Sequence, residues 1–111
     1  MYPATIVHSL AEARATLALD RPVTLLSAPG AALYAGCGWW KALVDQARAA
    51  HPDVPCIDIL DCADGTGAAL AALRIGLCRL VLWPSAPGRP AAAAIAAARG
   101  GFVLTEAPTV R

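Results

Sequence analysis

Residues Cys56 to Trp83 restrict the possible folds of this chain more than any other stretch. Cys-Ile-Asp-Ile-Leu-Asp is followed by Cys-Ala-Asp-Gly-Thr-Gly, then Ala-Ala-Leu-Ala-Ala-Leu-Arg-Ile-Gly-Leu, then Cys-Arg-Leu-Val-Leu-Trp. The outer pieces have the length and apolar content of buried strands. The middle piece is an alanine-leucine helix with Arg74 near its negative end and Gly76 placed for a left-handed cap. Strand, acidic glycine turn, helix and strand make a β-α-β unit, a right-handed crossover between parallel strands.

The flanking sequence reads as the same unit repeated. Ala4 to His8 is short and β-branched, a first strand. Ser9 suits an N-cap, and Glu12 completes a capping box for a helix that Asp20-Arg21-Pro22 stops. Val23 to Leu26 is a nearly all-apolar second strand, as buried parallel strands are. After the turn Ser27-Ala28-Pro29-Gly30, a second helix is well defined only from about Gly38 to Ala50. Ala31 to Cys37 reads either as its first turns or as a loop across the strand ends, since Gly36 and Gly38 each disfavour a helix interior by about 1 kcal/mol. Trp39 and Trp40 point about 100° apart on a helix, so both cannot face the sheet. Thr66 to Ile75 is the third helix and Leu80 to Trp83 the fourth strand. Pro90 opens a fourth helix, Ala91 to Arg99, and Phe102 to Thr105 is a fifth strand. The expected fold is α/β: a single small doubly wound domain over residues 1–111, with about five parallel strands and four helices. The flavodoxin-like order 2-1-3-4-5 is favoured, and the tail from Glu106 is expected to fray.

Composition narrows the function classes. The net charge is +1, 15% of residues are charged, and there is no basic cluster, so nucleic acid is not an expected partner. No charge falls between Arg21 and Lys41, but Pro29, Gly30, Gly36 and Gly38 interrupt that run, so no membrane span is expected. The N-terminus shows no basic region followed by an apolar one, which gives a cytoplasmic expectation. The four cysteines form no C-x-x-C pair and no zinc spacing with His8 or His51, and read as reduced thiols. The 27 alanines suggest a GC-rich bacterial origin and gain little area on burial. At 58% apolar, so small a domain is expected to cover part of its surface with a second copy, as a homodimer.

In parallel sheets of this kind ligands bind beyond the carboxyl ends of the strands. The candidate positions are Ser27, Gly30, Asp61, Asp64, Gly65, Ser85 and Arg89, three of them in the repeated tetrapeptide Ser-Ala-Pro-Gly at 27–30 and 85–88. Asp61 and Asp64 could hold a hard cation or transfer a proton, or could serve only as turn and cap residues. The helix starts near Gly65 and Gly88, with Arg89, could meet an anion. No Walker A loop is present, and Gly36-Cys37-Gly38 lacks the third glycine of the dinucleotide fingerprint. Cys37 or Cys62, with His8 as base, would be the nucleophile if there were one.

From Leu80 to Pro108 the succession of strand, loop, alanine helix, Gly-Gly, strand and Glu-Ala-Pro resembles the second half of a response-regulator receiver domain. The resemblance places Asp61 near that family's phosphorylated aspartate. His8-Ser9 stands where the family has its acidic pair, and the lysine before the final proline is missing, so it implies shared architecture only. The expectation is a non-catalytic, dimerising ligand-binding or interaction module that holds any small anionic or polar ligand at the strand ends. The alternative is a small enzyme using Asp61 with Asp64 or Cys62.

Overall fold

The computed structural model describes residues 1–110. Its elements are β1 (Ala4–Ile6), α1 (Leu10–Leu17), β2 (Val23–Leu26), α2 (Ala31–Tyr34), α3 (Cys37–Ala50), β3 (Cys56–Asp61), α4 (Thr66–Arg74), β4 (Arg79–Val81), α5 (Arg89–Ala98) and β5 (Phe102–Leu104). The α/β class is as expected, and five parallel strands form one sheet in one domain. No helix among the described residues is long and apolar enough to cross a membrane.

The strand order differs from 2-1-3-4-5. It is β1-β2-β3-β4-β5, so each crossover adds the next strand on the same side. Right-handed crossovers that never reverse direction leave every helix on one face of the sheet. The packing agrees. Strand residues Leu25, Leu60 and Leu80, with Val7 just after β1, share a core with helix residues Leu17, Trp40, Val44, Leu73 and Ala96. The opposite strand face forms a second cluster with no helix residue in it: Leu26, Ile59 and Val81, flanked by Ile6, Phe102 and Leu104. Among the described residues, the second helical layer of a doubly wound fold is therefore not found.

Leu26, Ile59 and Val81 are nevertheless completely buried, and curvature of the sheet explains this. The chain continues from Leu104 at the end of β5 to Val110, which bridges Ala4 of β1 in parallel. Six residues reach at most about 20 Å. Across a flat sheet at about 4.8 Å per strand, β1 and β5 would be about 19 Å apart, before allowing for the return from the carboxyl to the amino end. The sheet must curl, and its concave face closes over its own side chains. The tail is thus tied to β1 as far as Val110, and Arg111 lies outside the described residues.

Local signals explain the element ends. Glu12 N–H donates to Ser9 Oγ at 3.1 Å, the expected cap of α1. The Glu12 carboxylate accepts from His8 N–H instead of from Ser9, and lies 3.0 Å from His8 Nδ1. Both readings of residues 31–37 are partly right. A one-turn helix forms, Gly36 at φ +86° breaks it, and α3 starts at Cys37. Trp40 is buried and Trp39 is partly exposed, so the two indoles do split between core and surface. At the amino end of β3, buried Asp58 accepts from Arg48 at 2.7 Å with Arg79 at 3.6 Å, an ion group that nothing in the sequence pattern announced.

Candidate functional site

The loops after β2, β3 and β4 lie side by side at the carboxyl ends of the strands, and the two Ser-Ala-Pro-Gly segments hold the middle one between them. Both segments form the same turn. Ala31 N–H donates to Ala28 O (3.0 Å) and Arg89 N–H to Ala86 O (3.4 Å), while Gly30 and Gly88 sit left-handed at φ +67° and +72°. Proline second and left-handed glycine third is the type II pattern, and each turn opens a helix, α2 or α5.

The loop from Asp61 to Thr66 lies between these turns. On one side, Ser27 Oγ accepts the Asp61 N–H at 2.9 Å, and a Cβ at Gly30 would lie 3.8 Å from the Ala63 Cβ. On the other side, Thr66 Oγ1 donates to Pro87 O, and a Cβ at Gly88 would lie 3.5 Å from Thr66 Cγ2. Trp83 N–H donates to Ala63 O at 2.8 Å and ties β4 to the same loop. The repeated tetrapeptide thus acts as a pair of brackets around the β3–α4 loop.

The candidate residues separate once they are placed. Asp61 is buried, and its Oδ1 accepts from Ala63 N–H at 2.9 Å, holding Ala63 at φ +49°. That bond is the backbone-turn role weighed for Asp61. Asp64 is exposed, and the N-cap of α4 is Gly65, so Asp64 does not cap the helix. Gly65 is closely approached: a Cβ there would meet Leu33 Cδ2 at 2.4 Å, the mobile end of an exposed side chain, and Cys62 O at 3.1 Å. Ser27 is buried and Ser85 is exposed, so the two serines of the repeat have different surroundings. Arg89 directs Nε to Leu82 O (2.8 Å) and Nη2 to Val103 O (3.0 Å), so its guanidinium serves strand carbonyls.

No group of three or more His, Cys, Asp or Glu that could hold a metal forms among the described residues. Cys62 has no solvent exposure. Burial, with smaller contributions from Asp61 and Cys37, pushes its thiol up to about 12, so it stays protonated near neutrality. His8 is engaged with Glu12 at the start of α1.

Sequence reasoning passed over the apolar side of this rim. Tyr34 is 70% exposed, Leu33 54%, Trp83 46% and Trp39 37%. All four follow a strand's carboxyl end or open α3, and α2 lies against β3 and α4. The available signal was large apolar residues in turns that had no strand or helix stripe to fill. Two surface cavities, of about 380 and 460 Å³, lie around β1. The first is lined by Thr5, Thr16, Leu19 and Arg21, the second by Met1, Tyr2, Pro108 and Thr109. Both are at the end of the sheet away from Asp61.

Comparison with family models, with curated proteins and with solved structures returned no match for this chain.

Proposed function

We propose that this protein is a non-catalytic interaction module that binds a second copy of itself through the carboxyl-end rim. One contrast carries the reading. Four polar groups of that rim, on Ser27, Asp61, Thr66 and Arg89, are bonded to backbone partners, and only Asp64 and Ser85 of the candidate side chains face solvent, while Leu33, Tyr34, Trp39 and Trp83 are left in water. Tyrosine and tryptophan are the residues on which protein interfaces most often concentrate their energy. Bracketing by the two turns keeps the loop beneath them stiff, so little ordering entropy opposes association. A small anionic ligand is not part of this reading, because the Arg89 guanidinium is already held by two carbonyls.

Light scattering on the purified chain tests the proposal. The expected mass is twice that of one chain, and Tyr34→Ser with Trp83→Ser should shift it toward a single chain, with loss of either aromatic anchor costing about 2 kcal/mol of association energy. A single-chain mass for the parent protein at hundreds of micromolar would overturn it.

A further inference from the structure

We infer that Arg89 guards the open edge of the sheet, holding the outward-facing carbonyl of β5 so that a second copy cannot add to it as a strand. Edge strands present unpaired N–H and C=O groups, and proteins blunt them by charge, bulges or cover. In this sheet the two edges are closed by different devices. Along β1, Thr24 N–H donates to Pro3 O and Val7 N–H to Leu26 O, which leaves the Ala4 backbone facing outward, and Val110 bridges it.

At β5 the alternation is equally plain. Phe102 N–H donates to Cys78 O (2.9 Å), and Leu104 O accepts from Leu82 N–H (2.9 Å), so residues 102 and 104 face β4 and residue 103 faces away. The exposed acceptor on that edge is Val103 O, and Arg89 Nη2 occupies it at 3.0 Å. The same guanidinium covers Leu82 O through Nε at 2.8 Å, the carbonyl left over where β5 ends and the ladder stops. A single planar fork thus fills two acceptors, which lysine, as a point charge, could not do with the same geometry. β5 is only three residues long, which is itself a protection, but it carries no charge and no proline. The turn Ala86-Pro87-Gly88 places Arg89 as the first residue of α5, within reach of both strands.

The inference does not rest on the rim contact proposed above: Arg89 belongs to that rim, but the contact between copies is tested at Tyr34 and Trp83, and the edge at Arg89 and Val103. The test compares the parent with Arg89→Ala, Arg89→Lys and the double variant Arg89→Ala with Val103→Pro. Proline at 103 removes an N–H that β4 does not use and blocks strand addition at that edge, while keeping an apolar side chain where Val103 packs against the core. Mass is read by light scattering from about 10 to about 500 μM, the range in which exposed edges associate, alongside the infrared band of intermolecular β-structure. The parent should hold one mass throughout. Arg89→Ala should grow at least about twofold in mass with concentration and gain the band, Arg89→Lys should fall between, and the double variant should return to the parent mass. An Arg89→Ala protein that keeps the parent mass overturns the inference. So does a double variant that associates as strongly as Arg89→Ala, since that growth would come from general unfolding and not from the edge.

Discussion

Gly101 and Cys78 show how far single contacts determine this fold. A Cβ added at Gly101 would lie 1.8 Å from Cys78 O and 2.6 Å from its carbonyl carbon, both backbone atoms that the Phe102 N–H bond holds in place. Gly101→Ala should therefore cost more than about 3 kcal/mol in urea unfolding, since neither partner is a side chain that can turn aside. A loss under 1 kcal/mol would mean that the residues leading into β5 and β4 do not approach this closely. Cys62 gives a prediction in pH. Its thiol is raised from 9.0 to about 12 by burial, so the folded chain keeps a proton that the unfolded chain releases above about pH 9. That stabilisation is complete below pH 9 and is lost as pH rises toward 12, at up to about 1.4 kcal/mol per pH unit. Cys56, raised by burial, adds to the same trend. Unfolding measured at several alkaline pH values should show the slope, and Cys62→Ala should flatten it. A slope unchanged in Cys62→Ala would remove the assignment. The sequence left this thiol ambiguous because burial of Cys62 depends on helix packing around the end of β3, not on its neighbours in the chain.

At the scale of elements, the repeated turn was visible in the sequence but its purpose was not. Two copies of Ser-Ala-Pro-Gly announce two turns, whereas their service on opposite sides of one loop depends on β2 and β4 flanking β3. Gly30 and Gly88 are needed for their left-handed backbone and not for space, since a Cβ at either would meet its neighbour at ordinary contact distance. Gly30→Ala and Gly88→Ala should each cost about 1 kcal/mol from backbone strain, or roughly 4 °C in Tm. Because both brackets press on Asp61 to Thr66, the double variant should deviate from the sum of the two. Strict additivity in thermal and urea unfolding would show that the brackets act separately. The helices were the most legible elements, because alanine stripes, Ser9, Gly76 and the prolines are local signals. The start of α3 was the exception. Residues 31–37 are helical twice, with Gly36 between, and a break of this kind leaves the periodicity nearly unchanged.

For the whole molecule, class and strand count could be read from the chain, while the order of the strands could not. A right-handed crossover leaves the same strand-turn-helix-strand text whether the next strand is laid to the left or to the right of the sheet. The information that decides it lies on the strand face away from the helices. Opposite residues share a face, so Thr24 aligned with Ile57 and Asp61 aligned with Val81 belong to the helix-free side. Thr24 and Asp61 on that side are at odds with a second helical layer, which would have favoured aliphatic residues there. The curled sheet makes a quantitative claim about this face. If Ile59 stood on an open, flat surface, Ile59→Ala would remove a half-solvated side chain and cost about 1 kcal/mol or less. Within a concave cluster closed by Ile6, Phe102 and Leu104 it should cost about 2–4 kcal/mol, close to Leu60→Ala on the helix side of the same strand. Urea unfolding of the pair at equal m-values measures the difference directly. Near-equal losses require a sheet that encloses its own second core. A small loss at Ile59 beside a large one at Leu60 would flatten the sheet, and with it the route by which Val110 reaches β1.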